Sequence, residues 1–371
     1  MTLQSSGSIS FSQIEKEFGA NPGRSLGNYR NTVNIGGQTW PIDNGVPTGS
    51  SSISFSSLYG KQHNIVALMS GGQVTRQVAS DDSSFNSTAF RGTSASVRRE
   101  SKNIVYVVRV IGSDKNSRNR CALRTGNSNA WYGSSGPNGG KISIIIGSSG
   151  ALYGAGGDGG TGGTEETDGD NGQSGTSALG LEVNVESITI NSGGTIQAGG
   201  GGGGGGGGAR EDSDQVRRAG GGGGGGGVGL PAGNGGGISE KNNQSGGENG
   251  FAGSLNSAGN GGTGGNNDNE ASGGGGGGGG SFAGNESGLG GEGGDNSDDT
   301  DGSNGNDTNG TGGNGGDGKV IGGDGDSGGE SAGGSGGTAG YAITRDVGIS
   351  APTILGETSN VLGQQGEFGV S

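Results

Sequence analysis

The sequence predicts a mainly β and irregular chain with little α-helix: a small N-terminal domain built on a strand-helix repeat, a β domain, and a C-terminal bundle of polyglycine II helices. Three observations carry this. Glycine supplies 102 of the 371 residues, against a background of roughly 7%, which denies an ordinary side-chain core to much of the chain. The excess is local, with 18 glycines in residues 1–146 and 84 in residues 147–371. One pentapeptide, Ser-Ile-Ser-Phe-Ser, stands at 8–12 and again at 52–56. These shifts set the expected boundaries at 1–63 for the repeat domain, 64–146 for the β domain, 147–345 for the glycine-rich bundle and 346–371 for a C-terminal tail.

In the first domain the alternation of Ile and Phe with Ser suits a short strand with one buried face, formed by Ile9 and Phe11 and again by Ile53 and Phe55. After the first copy, Ser12 with Glu15 reads as a capping box, Ile14 and Phe18 share a helical face, and Gly19 is placed to end the helix. A unit of this size cannot bury its apolar face alone, so it should pack on its own copy, another subunit or a partner.

Residues 64–146 read as strands at 65–69, 73–78, 103–111 and 141–146, separated by Gly, Ser-Asp-Asp and Asn/Gly turns. Val105 and Val107 alternate with Tyr106 and Val108, which marks a central strand apolar on both faces. Trp131 and Tyr132 are expected as a lid on the end of this β core.

Composition excludes several functions. A single cysteine (Cys121) and a single histidine (His63) leave no disulfide framework, structural zinc site or His-centred acid-base pair within one chain. Six prolines and unbroken glycine runs exclude collagen. The apolar stretches 104–111 and 142–146 are strand-sized, and no export signal is recognised, so synthesis in a cytoplasm without membrane insertion is expected. Asp299-Thr300-Asp301-Gly302 resembles part of an EF-hand loop, but Ser297 and Thr308 stand at its first and twelfth positions. The glycine runs lack the Gly-Lys-Ser/Thr of a phosphate loop. No catalytic constellation, metal or cofactor is therefore expected.

The formal charge of −14 is segregated, at +1 over residues 1–63, +7 over 64–146 and −22 over 147–371. The middle arginines, among them Arg91, Arg98, Arg99, Arg109, Arg118, Arg120 and Arg124, lack interleaved aromatics, which argues against nucleic acid and for a solvated or subunit-contacting surface.

Pure glycine runs stand at 199–208, 220–227 and 273–280, surrounded by Gly-Gly-x triplets. A period of three matches the polyproline II helix, with three residues per turn and about 3.1 Å rise. Bare glycine edges let such helices approach until backbone groups, unpaired within each helix, pair between helices. A flexible linker is the alternative, but it has no need of matched runs bounded by distinct polar inserts. Those inserts, at 209–219, 238–249, 266–272, 281–289 and 295–311, become loops on a rigid scaffold, presented at one end and suited to binding.

The lead-in 191–198 to the ten-glycine run, the later runs, and the closing Gly336-Gly337-Thr338-Ala339-Gly340-Tyr341 resemble the glycine-rich tip domains of tailed-bacteriophage tail-fibre proteins, including the tip adhesins of T-even-like long tail fibres. The two Ser-Ile-Ser-Phe-Ser units look like N-terminal segments of phage virion proteins. The resemblance implies a non-enzymatic virion protein of the tail, bound to other tail proteins through Ile9, Phe11, Ile53 and Phe55. Its inserts, above all Arg210, Glu211, Asp212, Arg217 and Arg218, with Glu240 and Lys241, would contact a host outer-surface protein or glycan. Phage fibres are usually trimeric, which makes a homotrimer one candidate, but the sequence counts no subunits and the oligomeric state stays open. A purely structural tail component is the nearest alternative, and a secreted polyglycine binding protein a more distant one.

Overall fold

The structure, a computed structural model, describes residues 3–18, 25–30, 32–35, 38–41, 46–47, 50–62, 64–69, 77–78, 95–115, 121–164, 166–212, 216–238, 246–267, 271–272, 274–281, 289 and 331–367. It is mainly β with few short helices. In the N-terminal part, α1 (Phe11–Phe18) is followed by a 3-10 turn (Leu26–Arg30), the two-stranded β1 (Thr32–Ile35) and β2 (Gln38–Pro41), and a second 3-10 turn (Phe55–Leu58).

The two pentapeptides are not strands. In each copy the third residue is a helix N-cap and the Phe is the first helical residue: Ser10 caps α1 and Ser54 caps the 3-10 turn. The capping box pairs Ser10 with Gln13, whose Oε1 accepts the Ser10 amide at 2.8 Å, instead of the expected Ser12 with Glu15. Choosing Ser10 starts the helix earlier and points Ile14 into a small core with Leu3, Ile9, Tyr29, Val46 and Leu58. Gly19 lies outside the described residues.

Beyond residue 63 the chain winds as a three-sided parallel solenoid. One turn runs β5 (Lys102–Val107), β6 (Val110–Gly112) and β7 (Cys121–Arg124), the next β8 (Lys141–Ile146), β9 (Ala151–Tyr153) and β10 (Ser177–Leu181). The next turn is β11 (Ser187–Ile190), β12 (Thr195–Gln197) and, after a long insertion, β17 (Tyr341–Arg345). β3 (Asn64–Met69) and β4 (Gln77–Val78) precede these turns, and β18 (Thr353–Gly356), β19 (Val361–Leu362) and β20 (Gln364–Glu367) follow. Successive turns stack in register, giving sheets ordered β18-β11-β8-β5-β3, β19-β12-β9-β6 and β20-β17-β10-β7-β4. All their pairings are parallel.

The stacking aligns apolar columns. Ala67, Val105, Ile144, Ile188 and Ile354 form one, Ile111, Leu152, Ile196 and Val361 another, and Leu123, Leu179 and Ile343 a third; together they fill one buried core. β5 is buried on both faces, as its sequence predicts, because Ile104 and Tyr106 lie in a second cluster outside the sheet.

Four sequence expectations change here. The β part does not end at 146, since strands on both sides of that residue share the same sheets. Residues 346–371 are not simply a tail, because 353–367 supply β18, β19 and β20. The segment 103–111 is two strands in different sheets, with the chain turning at Val108 and Arg109. Trp131 and Tyr132 sit in α2 (Ser128–Tyr132) inside the main core, where Trp131 Nε1 donates to Thr125 O at 2.9 Å, so they fill the solenoid instead of covering it.

Glycine segments leave the solenoid at two places, as a 154–176 excursion between β9 and β10 and a 199–340 excursion between β12 and β17. The segment 220–228 is their hub. Its amides at 221, 224 and 227 donate to Gly163, Gly160 and Gly157; those at 222, 225 and 228 donate to Gly274, Gly277 and Gly280; those at 223 and 226 donate to Glu248 and Phe251. Its carbonyls accept from Gly206, Gly203 and Gly200, from Gly236 and Gly233, and from Gly262 and Gly259. Each neighbour is thus met at every third residue, and six segments surround the hub. A Cβ built on any of Gly221 to Gly227 would stand 1.9–2.2 Å from a neighbouring carbonyl oxygen, so only glycine allows this spacing.

Candidate functional site

The direction of each glycine segment decides where its connections fall. At the end far from the solenoid strands, Gly163 donates to Gly206 O at 2.7 Å, Gly265 to Gly220 O at 2.8 Å and Gly274 to Gly207 O at 2.9 Å. Ser331 Oγ donates to Thr164 O at the same level, 3.0 Å away. Segments reaching this level are joined by two antiparallel hairpins, β13 (Ala209–Asp212) with β14 (Val216–Ala219) and β15 (Asn266–Asn267) with β16 (Ala271–Ser272). β16 lies against both strands of the first hairpin, so the two form one cluster.

Within the first hairpin the register sets Arg210 opposite Arg218, Glu211 opposite Arg217 and Asp212 opposite Val216. Five of the seven sequence-predicted contact residues therefore share one hairpin at the distal end. Glu240 and Lys241 lie outside the described residues, as does the insert 295–311. Gly280, just before the insert 281–289, is at the opposite end, since it donates to Gly201 O at 2.8 Å, next to the first residues leaving β12; residues 282–288 of that insert lie outside the described residues. Composition alone cannot assign an end; that depends on how many times the chain has reversed. The same reasoning adds a distal element that the sequence did not single out, the turn at Thr164 and Thr167, whose hydroxyls lie 2.9 Å apart, followed by exposed Asp168.

The solenoid-side turns are chemically different. The turn 229–232 contains Leu230 and Pro231, and Leu230 O accepts from the Ser113 amide at 2.9 Å. The turn 254–257 is held by Gln197 Nε2, which donates to Leu255 O at 3.1 Å. These two described solenoid-side turns are thus uncharged, whereas the hairpins at the far end belong to segments that carry charge.

At the flank of the bundle, side chains replace missing neighbours. Asp168 Oδ1 accepts the Ala332 amide at 2.8 Å and Asn171 Oδ1 the Ser335 amide at 2.7 Å, three residues apart on both segments. These acceptors satisfy amides that have no further glycine segment to meet.

Among the described residues of the basic middle, Arg98, Arg99 and Arg124 bind groups within the chain, which for these three corrects the expected solvated or subunit-contacting role. Arg98 donates to Trp131 O at 3.0 Å and Ala130 O at 2.8 Å, and burial holds its guanidinium below the ordinary value. Arg99 donates to Gly136 O at 2.6 Å. Arg124 pairs with Glu182, and Lys115 with Asp158. Arg91, Arg118 and Arg120 lie outside the described residues.

Of the sequence-predicted attachment residues, Ile9 is buried in the N-terminal core, and Phe11, Ile53 and Phe55 pack half-buried against it. The rings of Phe11 and Phe55 meet edge to face, 5.1 Å apart at 76°. Among the described residues no cluster of His, Cys, Asp and Glu could hold a metal ion, and no helix is long and apolar enough to cross a membrane.

The architecture is a parallel solenoid whose glycine-rich insertion carries two antiparallel hairpins. The family pattern of the phage tail fibre adhesin Gp38 matches residues 73–273, more than half of the chain, and the chain belongs to that family. Its members are structural proteins of the virion tail, not enzymes. The crystal structure of the gp37-gp38 adhesin tip complex of the bacteriophage S16 long tail fiber is similar over 88% of this chain and 90% of that one, at 18% identity and a TM-score of 0.35. No curated protein matches the sequence.

Proposed function

We propose that this adhesin binds the host cell surface through the distal end of its glycine scaffold, and that the scaffold is a bundle of polyglycine II helices. The three-residue period of the hydrogen bonds around 220–228 supports the helix type, because three residues make one turn of that helix. The observation that carries the binding role is the sorting of the connections, with charged hairpins distal and the Leu-Pro and Ser-Leu turns on the solenoid. A rigid base lowers the ordering cost of the loops when they meet a ligand.

In this reading Arg210, Glu211, Asp212, Arg217 and Arg218 contact an outer-surface protein or glycan, as do Glu240 and Lys241, which lie outside the described residues. The half-buried Phe11, Ile53 and Phe55, supported by Ile9, form the contact with another tail-fibre protein. The domains become 1–63 for attachment, 64–153 with 177–198 and 341–367 for the solenoid, and 154–176 with 199–340 for the bundle. The protein is made in the host cytoplasm and works in the virion; sedimentation of the purified chain tests the homotrimer.

The test replaces residues 209–219 by a short Gly-Ser turn in the phage and measures adsorption. Loss of adsorption with normal incorporation into particles is expected. Unchanged adsorption and host range would favour a purely structural tail component.

A further inference from the structure

Glycine segments have a register problem. If one slides along its axis by three residues, about 9 Å at polyglycine II rise, each amide again faces an equivalent carbonyl. Register is weakly specified wherever side chains do not distinguish one placement from the next. The run 220–227 is glycine throughout, and the facing run 274–280 is glycine as well. Segments that continue directly from β9, β12, β10 or β17 are fixed by those strands. The segments 220–228, 233–238, 246–253, 258–265 and 274–281 have no such covalent tie.

The solenoid reaches them through a few groups. Lys115 Nζ lies 2.6 Å from Asp158 Oδ1, and the same oxygen accepts the Asn234 amide at 2.6 Å, joining a solenoid loop, a strand-tied segment and an untied one at one point. The Ser113 amide holds Leu230 O, and a Cβ on Gly112 would stand 2.6 Å from that oxygen. Gln197 Nε2 holds Leu255 O in the next turn.

We infer that Lys115, Asp158 and Gln197 are register keys, positioning residues that select one axial placement among several with equivalent hydrogen bonds. They thereby hold the distal hairpins level with one another. The inference rests on the polyglycine II reading above and deepens it.

The test places spin labels on the full chain at exposed Gln173, on a strand-tied segment, and exposed Glu248, on an untied one. Wild-type protein should give a single narrow distance. Lys115→Ala, Asp158→Ala and Gln197→Ala combined should add a second population displaced by up to about 9 Å, with the melting temperature still well above the working temperature. Asp158→Asn alone, which keeps an oxygen acceptor for the Asn234 amide, should keep the single distance. An unchanged single distance in the triple variant overturns the inference. So does global unfolding of the triple variant, which would make these groups ordinary supports. Absence of protected glycine amides in hydrogen exchange of the wild type would instead refute the polyglycine II reading.

Discussion

The amide of Gly224 donates to the carbonyl of Gly160 at 2.9 Å, although the two residues belong to separate excursions from the solenoid. Backbone pairing of this kind, repeated at every third residue, holds together segments that have almost no side chains to bury. It demands a spacing that a single methyl group would break. Gly224→Ala places a Cβ 2.1 Å from Gly203 O and is expected to cost about 3 kcal/mol or more by overpacking. Gly237, with nothing within 4 Å of its Cβ position, is the control: Gly237→Ala should be neutral or stabilising by about 0.5 kcal/mol. Urea unfolding of the two variants checks the contrast.

Two ion pairs differ in surroundings and should differ in worth. Arg124 and Glu182 are only 12% and 9% exposed, and Glu182 also accepts the Gly126 amide at 2.8 Å. Glu182→Ala strands a buried guanidinium and is expected to cost about 3–5 kcal/mol. Lys141 and Glu186 are 56% and 43% exposed, and Glu186→Ala should cost less than about 1 kcal/mol. Chemical denaturation of each variant reads both.

Burial pushes the Tyr132 phenol up to about 12. Its folded pKa lies above the unfolded value near 10, so its contribution to stability is complete below about pH 10 and is lost as pH rises toward about 12. Alkaline titration of phenolate absorbance should show this tyrosine ionising only as the chain unfolds. Tyr132→Phe should weaken the fall in stability across that window.

The Phe11–Phe55 contact joins the two copies of the pentapeptide. Phe11→Ala is expected to remove an aromatic pair worth about 0.5–1.5 kcal/mol beyond its buried area. It should also lower the amount of adhesin in purified particles. A variant that is incorporated normally would separate this pair from attachment.

What the sequence made legible was local. Matched glycine runs and their polar inserts are visible in a few dozen consecutive residues, and the described residues of those runs are buried. Burial of β5 on both faces was equally readable from Ile104 to Val107. The solenoid was not, because its pairings are long-range: Leu179 of β10 lies beside Ile343 of β17, across the whole glycine insertion. Strands of two to six residues, alternating around three sheets, leave no periodic signal along the chain. The pentapeptide shows a subtler failure. Its alternation satisfied the strand template, but Ser10 and Ser54 bond to residues three positions on, and those caps start helices at Phe11 and Phe55. The arginines misled for a related reason, since the carbonyls that Arg98 and Arg99 bind come from a helix and turn some thirty residues away.

The binding of the distal hairpin to the host is tested most directly by competition. Purified full-length chain should block adsorption of wild-type particles to host cells, and a chain with Arg210, Arg217 and Arg218 changed to Glu should lose that ability by at least about tenfold, about 1.4 kcal/mol. A chain altered in the solenoid-side turn, Asn256→Glu, should block as well as wild type. Equal blocking by the hairpin variant, or loss with the solenoid-side variant alone, would contradict binding at the distal end.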